Sequence, residues 1–462
     1  MNNSMRIFIT AFLLMVFVSS IFLGCGGNGT LEEKEPSKER IIISVNRGPK
    51  EGDVWLQSEW DIRKKMFEEK YPDYELRISS WDFTPDSFMA KAAGGTLTDI
   101  ISLWATEGEN VIGKGLALDL TERLKDWPLY KEINHDILKP FVYEDRVYGL
   151  PYLAYSMALF YNKKLFRENG IVDDKGEPTP PNTWEELVEF AKIITDREKG
   201  IAGYGVNGEI PRSGWNFLNY VWQSGGEFEV QEDGMWKAKF NSPEAVSALQ
   251  FIKDLKWKHG VLQADALAKY DDLWQLFITD KIGMIMEAVT EEILDAIVFK
   301  YEFDLDNLGI ALLPAGPAGR ANQVGADYYI INPAISKEKQ DGAFAFITFV
   351  HELDLIEAIQ KLKNESGRPV GGPRFPVYLD EYQNNVDAIY KRYLNVPDYS
   401  SFTNNTNKYI RFEPPYYCQQ LYSEVLSPAV QAVTTDSDAD PQEIMDEGAK
   451  MFQKRFLSKI NQ

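Results

Sequence analysis

Histidine occurs three times in this chain, at His135, His259 and His351, too far apart for any metal-binding helix of the HExxH kind. Cysteine occurs twice, at Cys25 and Cys418, so no CxxC pair exists. No P-loop and no GxSxG nucleophile turn is present, and the glycines of "GPAGRANQVGAD" lack the order of a phosphate cradle. The stretch "DSDADPQEIMDE" places Asp436, Asp438, Asp440 and Glu447 at calcium-loop positions. Pro441, however, stands where that loop needs a sharply turning glycine. A helix start suits it better, with Asp440 as cap, Pro441 as first residue and Glu443 as capping partner. With 70 Asp and Glu, no pair is marked out for glycoside hydrolysis. What remains is binding chemistry, with no metal, no cofactor and no catalytic group expected. Aromatics make up 13% of the chain and include 11 Trp. Flat rings beside short polar groups suit a sugar, whose C–H faces stack and whose hydroxyls take hydrogen bonds.

Positioning such groups requires a scaffold, and the patterning predicts one. "RIIISVN" reads as a buried strand, "SEWDIRKKMFEEKYPD" as a helix stopping before Pro72, and "YELRISSW" as a second strand. "FTPDSFMAKAAGG" reads as a helix and "TDIISLW" as a third strand. That order implies parallel βαβ units. "PNTWEELVEFAKIITD" carries a capping box at Thr183 and Glu186, with Trp184, Leu187, Val188, Ala191 and Ile194 on one face. "NSPEAVSALQFIKDLKWKHG" has Ser242 as cap, Pro243 next and Gly260 as stop. Apolar strands return at "KIGMIME", "LGIALLP" and "DYYIIN", and the C-terminal third is helical in pattern. The fold class is therefore α/β, in more than one lobe. Trp81 and Trp104 close the second and third strands, where open α/β sheets place ligands.

The 462 residues carry 49 Lys and Arg against 70 Asp and Glu, a net charge of −21. Such a chain is repelled by phosphate backbones, so no nucleic-acid partner is expected. Arg6 precedes the apolar run "IFITAFLLMVFVSSIFLGC", which has the shape of a secretory signal. It ends in Leu23-Gly24-Cys25, a lipobox-like sequence in which Cys25 would be acylated. Residues 1–24 are then a lipoprotein signal peptide and 25–40 a flexible tether. Cys418 is left without a disulfide partner.

"VYGLPYLAYSMALFYNKKLFRENGI", with "PPNTWEELVEFAKIIT" and "GYG" after it, resembles the signature of family 1 extracellular solute-binding proteins. These are receptors of ATP-binding-cassette (ABC) sugar importers, of the maltose-binding-protein type. "GGTLTDIISLW", "FITDKIGMIME", "LGIALLPAGPAGRANQVGADYYIIN" and "GGPRFPVYLDEY" follow in the family's order, so the likeness spans roughly residues 40–460.

The resemblance implies a two-lobed, type II periplasmic-binding-protein fold with a ligand cleft between lobes joined by hinge strands. Lobe 1 would hold 41–150 and 323–370, and lobe 2 would hold 151–322 and 371–462. Gly149-Leu150-Pro151 would be the first crossing, with Tyr152 and Tyr155 at the cleft floor and Tyr161 in the core. The likeness puts Arg47, Glu107, Trp215 and Tyr417 beside Trp81, Trp104 and Tyr155 as ligand-binding residues; Asp327 would stand at the second crossing, where the family more often has Gly, as an acid able to receive hydroxyls or pair with a basic ligand group. Glu287 joins them at the end of "KIGMIME", while Trp222 reads as helix core. The family usually continues Gly-x-Trp after that strand, whereas this chain has Ala288-Val289-Thr290, so a stacking platform is missing. The implied function is a monomeric, lipid-tethered receptor in the periplasm or at the outer cell surface. It would capture a sugar, read as an oligosaccharide, and deliver it to the transmembrane subunits of a permease. The competing readings are a receptor for a non-sugar solute (a peptide, a cation such as a polyamine, or glycerol phosphate), a secreted glycan-active enzyme, and a surface adhesin.

Overall fold

The computed structural model describes residues 39–460 other than Pro373. The expected signal peptide, Cys25 and all but the end of the tether lie outside the described residues. Nine strands form one mixed sheet. They are β1 (Ile41–Val45), β2 (Tyr74–Ile78), β3 (Ile100–Trp104), β4 (Leu150–Asn162) and β5 (Ala202–Gly205), then β6 (Ile282–Val289), β7 (Leu308–Ala311), β8 (Asn322–Ile331) and β9 (Ile410–Phe412). Their order is β2-β1-β3-β8-β4-β6-β5, with β7 paired to β4 and β9 to β8. Strands β1, β2 and β3 run parallel, as the βαβ pattern requires. Strand β8 runs antiparallel to both β3 and β4.

The helices that matter below are α1 (Val54–Lys70), α2 (Pro85–Ala93), α3 (Trp184–Ile194), α4 (Arg212–Gln223) and α5 (Pro243–Trp257), followed by α6 (Leu353–Glu365), α7 (Asp380–Arg392) and α8 (Pro441–Phe452). Helix α1 starts earlier than its apolar pattern suggests, because Asp53 caps it by accepting from Leu56 N at 3.0 Å. Thr183 caps α3, but Glu186 reaches back to Asn182 N at 2.6 Å, one residue before the expected capping-box partner. Ser242 and Asp440 cap α5 and α8, each with Pro as the next residue. Among the described residues no helix is long and apolar enough to cross a membrane.

Buried side chains gather in three clusters. One takes Ile43, Trp60, Phe67, Ile100, Phe141, Leu150, Ala154, Tyr328 and Phe346. A second takes Met157, Leu159, Tyr161, Trp184, Phe217, Trp222 and Phe452. A third takes Ala158, Phe160, Trp274, Ile285 and Phe402. Strand β4 thus leaves the first cluster after Ala154 and enters the other two, its alternate residues feeding opposite faces of the sheet. Its partner changes with it: β8 from Leu150 to Ser156, then β6 from Ser156 to Tyr161. Strand β8 makes a second crossing, with Ala321 in the second cluster and Val324 onward in the first. Phe375, Val377, Tyr378 and Val386, which a lobe boundary at 371 assigns to lobe 2, pack in the first cluster instead. They are held there by α7, whose Val386 is buried beside that loop.

Candidate functional site

Strand β1 delivers Asn46 and Arg47 to the crossing. Asn46 grips Ser102 twice, accepting from its N–H at 2.6 Å and donating to its carbonyl at 3.2 Å. Arg47 follows in a left-handed conformation, φ 61°, and its N–H donates to the Trp81 carbonyl at 3.1 Å. That turn aims its guanidinium at Asp327, with which it is ion-paired, and at the Tyr152 hydroxyl, 3.2 Å away. Asp327 is only 4% exposed, on β8, opposite Trp104 on one side and Leu153 on the other. Burial pushes its carboxyl up, and Arg47 opposes that shift. A buried carboxylate needs such a partner. Tyr152 is fixed further by Ser102 Oγ at 2.8 Å and by stacking on Tyr329, 4.1 Å between rings.

A second ion pair lies on the other side of the crossing. Arg212, in the first turn of α4, donates to both carboxylate oxygens of Glu287, which is 3% exposed on β6. The same guanidinium lies over the Tyr270 ring at 4.1 Å and over Trp215 at 5.6 Å. Trp215 meets Tyr155 edge-on at 6.2 Å. Its indole N–H donates to Glu413, which also accepts from Gln323 Nε2 at 2.6 Å. Gln323 is itself held by Asn219 through two hydrogen bonds, 2.8 and 3.1 Å. Loss of solvent pushes Glu413 up to about 7; the donors Trp215 and Gln323 oppose this and the charge of Glu107 adds to it. Glu107 is itself pushed up by burial, opposed by hydrogen bonds from Asn110 and Thr106. Tyr155 is therefore flanked by Arg47 and Asp327 on one side and by Arg212 and Glu413 on the other, and all four charges act on its hydroxyl.

Between the first and third clusters lies a cavity of about 430 Å³. Its walls include Trp55 and Trp60 of α1, Tyr152 to Ala154 of β4, and Val289, Thr290 and Asp295 beyond β6. Helices α6 and α7 and the 374–378 loop complete it. The missing family Trp falls on this wall, where Thr290 leaves open space. The volume lies within the roughly 300–1,000 Å³ of small-molecule sites.

Of the nine residues expected to bind ligand, Arg47 lines the cavity. Asp327 does not line it but is ion-paired to Arg47, which does. Tyr155 and Trp215 meet each other beside the crossing, and Glu107 acts on Glu413 there. Trp81 lies under Lys91, 5.1 Å from nitrogen to ring, and Trp104 packs edge-on against Phe83 at 5.3 Å. The structure does not gather Tyr417 with the rest: its ring packs on Phe456 at 5.3 Å. Its neighbour Tyr416 hydrogen-bonds Glu109 instead. Tyr161 and Trp222, expected in the core, are each 7% exposed there. Sequence reasoning missed Arg212, Glu413, Arg368 and Arg374. Arg212, three residues before Trp215 and so on the same helix face, carried a local signal; the others carried none.

Residues 55–351 match the family model described as bacterial extracellular solute-binding protein. A binding protein of Brucella abortus is 26% identical over 329 residues, 70% of this chain and 75% of that one. Among solved structures, an ABC substrate-binding protein from Listeria monocytogenes in complex with cycloalternan superposes with a TM-score of 0.70. It is 20% identical and covers 90% of this chain and 98% of its own. A maltose-bound protein of T. maritima gives 0.68 at 22% identity, over 90% and 99% of the two chains.

Proposed function

This chain belongs to the bacterial extracellular solute-binding proteins, and we propose that it is the receptor of an ABC importer that captures an oligosaccharide between two lobes. The observation that carries this reading is the cavity walled from both sides of the crossing strands. Ligand there would touch α1 and α6 of one lobe and the Val289–Asp295 segment of the other, and so favour the closed arrangement. It would shift the hinge by the difference in its affinity for the closed and open forms. Lobe 1 is then 41–150 with 323–392, and lobe 2 the remainder. The aromatic lining supports a sugar, as do the cycloalternan and maltose of the two structural neighbours. No bond is made or broken. The closed receptor hands its cargo to the transmembrane subunits of a permease. It acts as a monomer, tethered in the periplasm or at the cell surface through an acylated Cys25.

A thermal-shift screen over mono- and oligosaccharides, amines and peptides tests this reading. A ligand at a hundred times its dissociation constant adds about 2.7 kcal/mol to stability. A response to oligosaccharides is expected; a response to amines or peptides alone overturns the sugar while leaving the receptor.

A further inference from the structure

The side chains that line the cavity are basic in excess, unlike the chain as a whole, with Asp327 and Asp387 standing behind Arg47 and Arg374. Five cationic side chains line it, Arg47, Arg63, Lys363, Arg368 and Arg374, against three carboxylates, Asp53, Glu59 and Asp295. The chain as a whole carries 49 basic against 70 acidic residues. Two of the cations share one acid: Arg63 lies 3.3 Å and Lys363 3.4 Å from Glu59, whose side chain is 15% exposed. Lys363 itself is 7% exposed, an unusual setting for an ammonium group.

Two arginines of the 366–379 loop, Arg368 and Arg374, are held in place yet part-exposed on the cavity wall. Arg368 pairs with Asp295, and Arg374 with Asp387. Each guanidinium lies against an aromatic face, Arg368 4.7 Å from Trp55 and Arg374 3.7 Å from Tyr390. In both, the Nε–H is sealed off without an acceptor, while the side chain as a whole keeps 13% exposure in Arg368 and 18% in Arg374 on the cavity wall. Two such part-exposed guanidinium groups on one cavity wall, fixed by stacking, form a preorganised receptor for acceptor oxygens. A planar fork matches a carboxylate with two parallel hydrogen bonds, which a hydroxyl cannot supply. Tyr152, Trp55 and Tyr390 line the same space and provide ring faces for a pyranose.

We propose that the cavity selects an acidic oligosaccharide, with a sugar-ring carboxylate of the uronic-acid type received by Arg368 and Arg374. This rests on the receptor reading above and names the ligand class of the same site. It disfavours a cationic solute, which would meet the guanidinium groups of the lining. It also gives Thr290 a reason: space is kept for a charged unit where the family usually stacks a Trp on a neutral one.

The test is isothermal titration of the mature full-length protein. The probes are galacturonate, mannuronate and glucuronate oligomers, their carboxyl methyl esters, the neutral counterparts and a sulfated disaccharide. At least one uronate series is expected to bind tenfold or more tightly than its ester and its neutral counterpart. Arg374→Gln should lower that affinity at least tenfold, and Arg374→Lys, which keeps the charge without the fork, by less. Circular dichroism of each unliganded variant checks that it folds. Equal affinity for uronate and ester overturns the carboxylate while leaving the sugar receptor intact. Binding of the sulfated probe in place of uronates overturns it in favour of another anion. A protein that binds no sugar of either charge overturns both this inference and the oligosaccharide reading.

Discussion

Arg212 donates to Glu287 through two hydrogen bonds, 2.9 Å from Nε and 2.7 Å from Nη2, and so neutralises a carboxylate that is 3% exposed. Helix α4 and strand β6 are locked together by that fork, 75 residues apart in sequence. Removing the cation alone leaves the acid buried without a partner. Arg212→Met is expected to destabilise the protein by about 3–5 kcal/mol, read from urea denaturation. Arg212→Met combined with Glu287→Met should recover much of that loss. Equal losses in the single and double variants would show that the pair is not the cause.

Gly325 faces the ring of Tyr155 across β8 and β4. A Cβ at that position would meet Tyr155 Cζ at 2.3 Å. Gly325→Ala must therefore displace the ring at the crossing, at a cost of about 1–3 kcal/mol. Adding Tyr155→Ala removes the obstacle, so the double variant should be no less stable than Tyr155→Ala alone. A double-mutant cycle with additive losses would contradict the contact.

Glu413 carries a pH dependence whose sign follows from its raised pKa of about 7, against an ordinary 4.5. The folded chain holds a proton at Glu413 over a range where the unfolded chain has released it. Its contribution is complete below the ordinary value and is lost as pH rises through about 7, with a slope near 1.4 kcal/mol per pH unit between the two. Glu413→Gln keeps an acceptor for Trp215 and Gln323 but cannot ionise. The difference between denaturant midpoints at pH 5 and pH 8 should therefore narrow in the variant, Glu229, which burial raises to about 8, keeping part of it; an unchanged difference would place the titration elsewhere.

His351 works in the opposite sense. Burial lowers it to about 3, and its Nδ1 lies 3.0 Å from the Tyr378 hydroxyl. The unfolded imidazole protonates near its ordinary 6.5, so stability present above that value is lost as pH falls from there towards 3. His351→Phe should flatten the acid limb of the stability curve. An acid limb as steep as in the parent would contradict this.

Much of the scaffold was legible because it is local. Caps at Thr183, Ser242 and Asp440 sit within four residues of the helices they start. Alternation in "YLAYSMALFYN" sends Tyr161 to the core as expected. The site was legible only in part, because its partners are distant. Arg47 meets Asp327 across 280 residues, and Trp215 meets Glu413 across 198. Periodicity carries no record of such pairs. Glu413, in the irregular "FEPPYY", had no pattern to mark it. Arg368 and Arg374 become wall residues only because the 366–379 segment folds back against α1 and β4.

Thr290 is the position where this chain departs from the expected stacking platform, and it faces the cavity. Thr290→Trp would fill part of about 430 Å³ with a large ring. The substitution should weaken binding of the cognate ligand at least tenfold by calorimetry while leaving the unliganded melting temperature within a few degrees. Unchanged affinity would place the ligand elsewhere.

The central claim is that ligand held in this cavity draws the two lobes together about the crossings at Ser156 and Val324. Small-angle X-ray scattering with and without saturating ligand tests it most directly. A smaller radius of gyration in the bound protein is predicted, and the same dimensions in both, with binding verified by calorimetry, would contradict it.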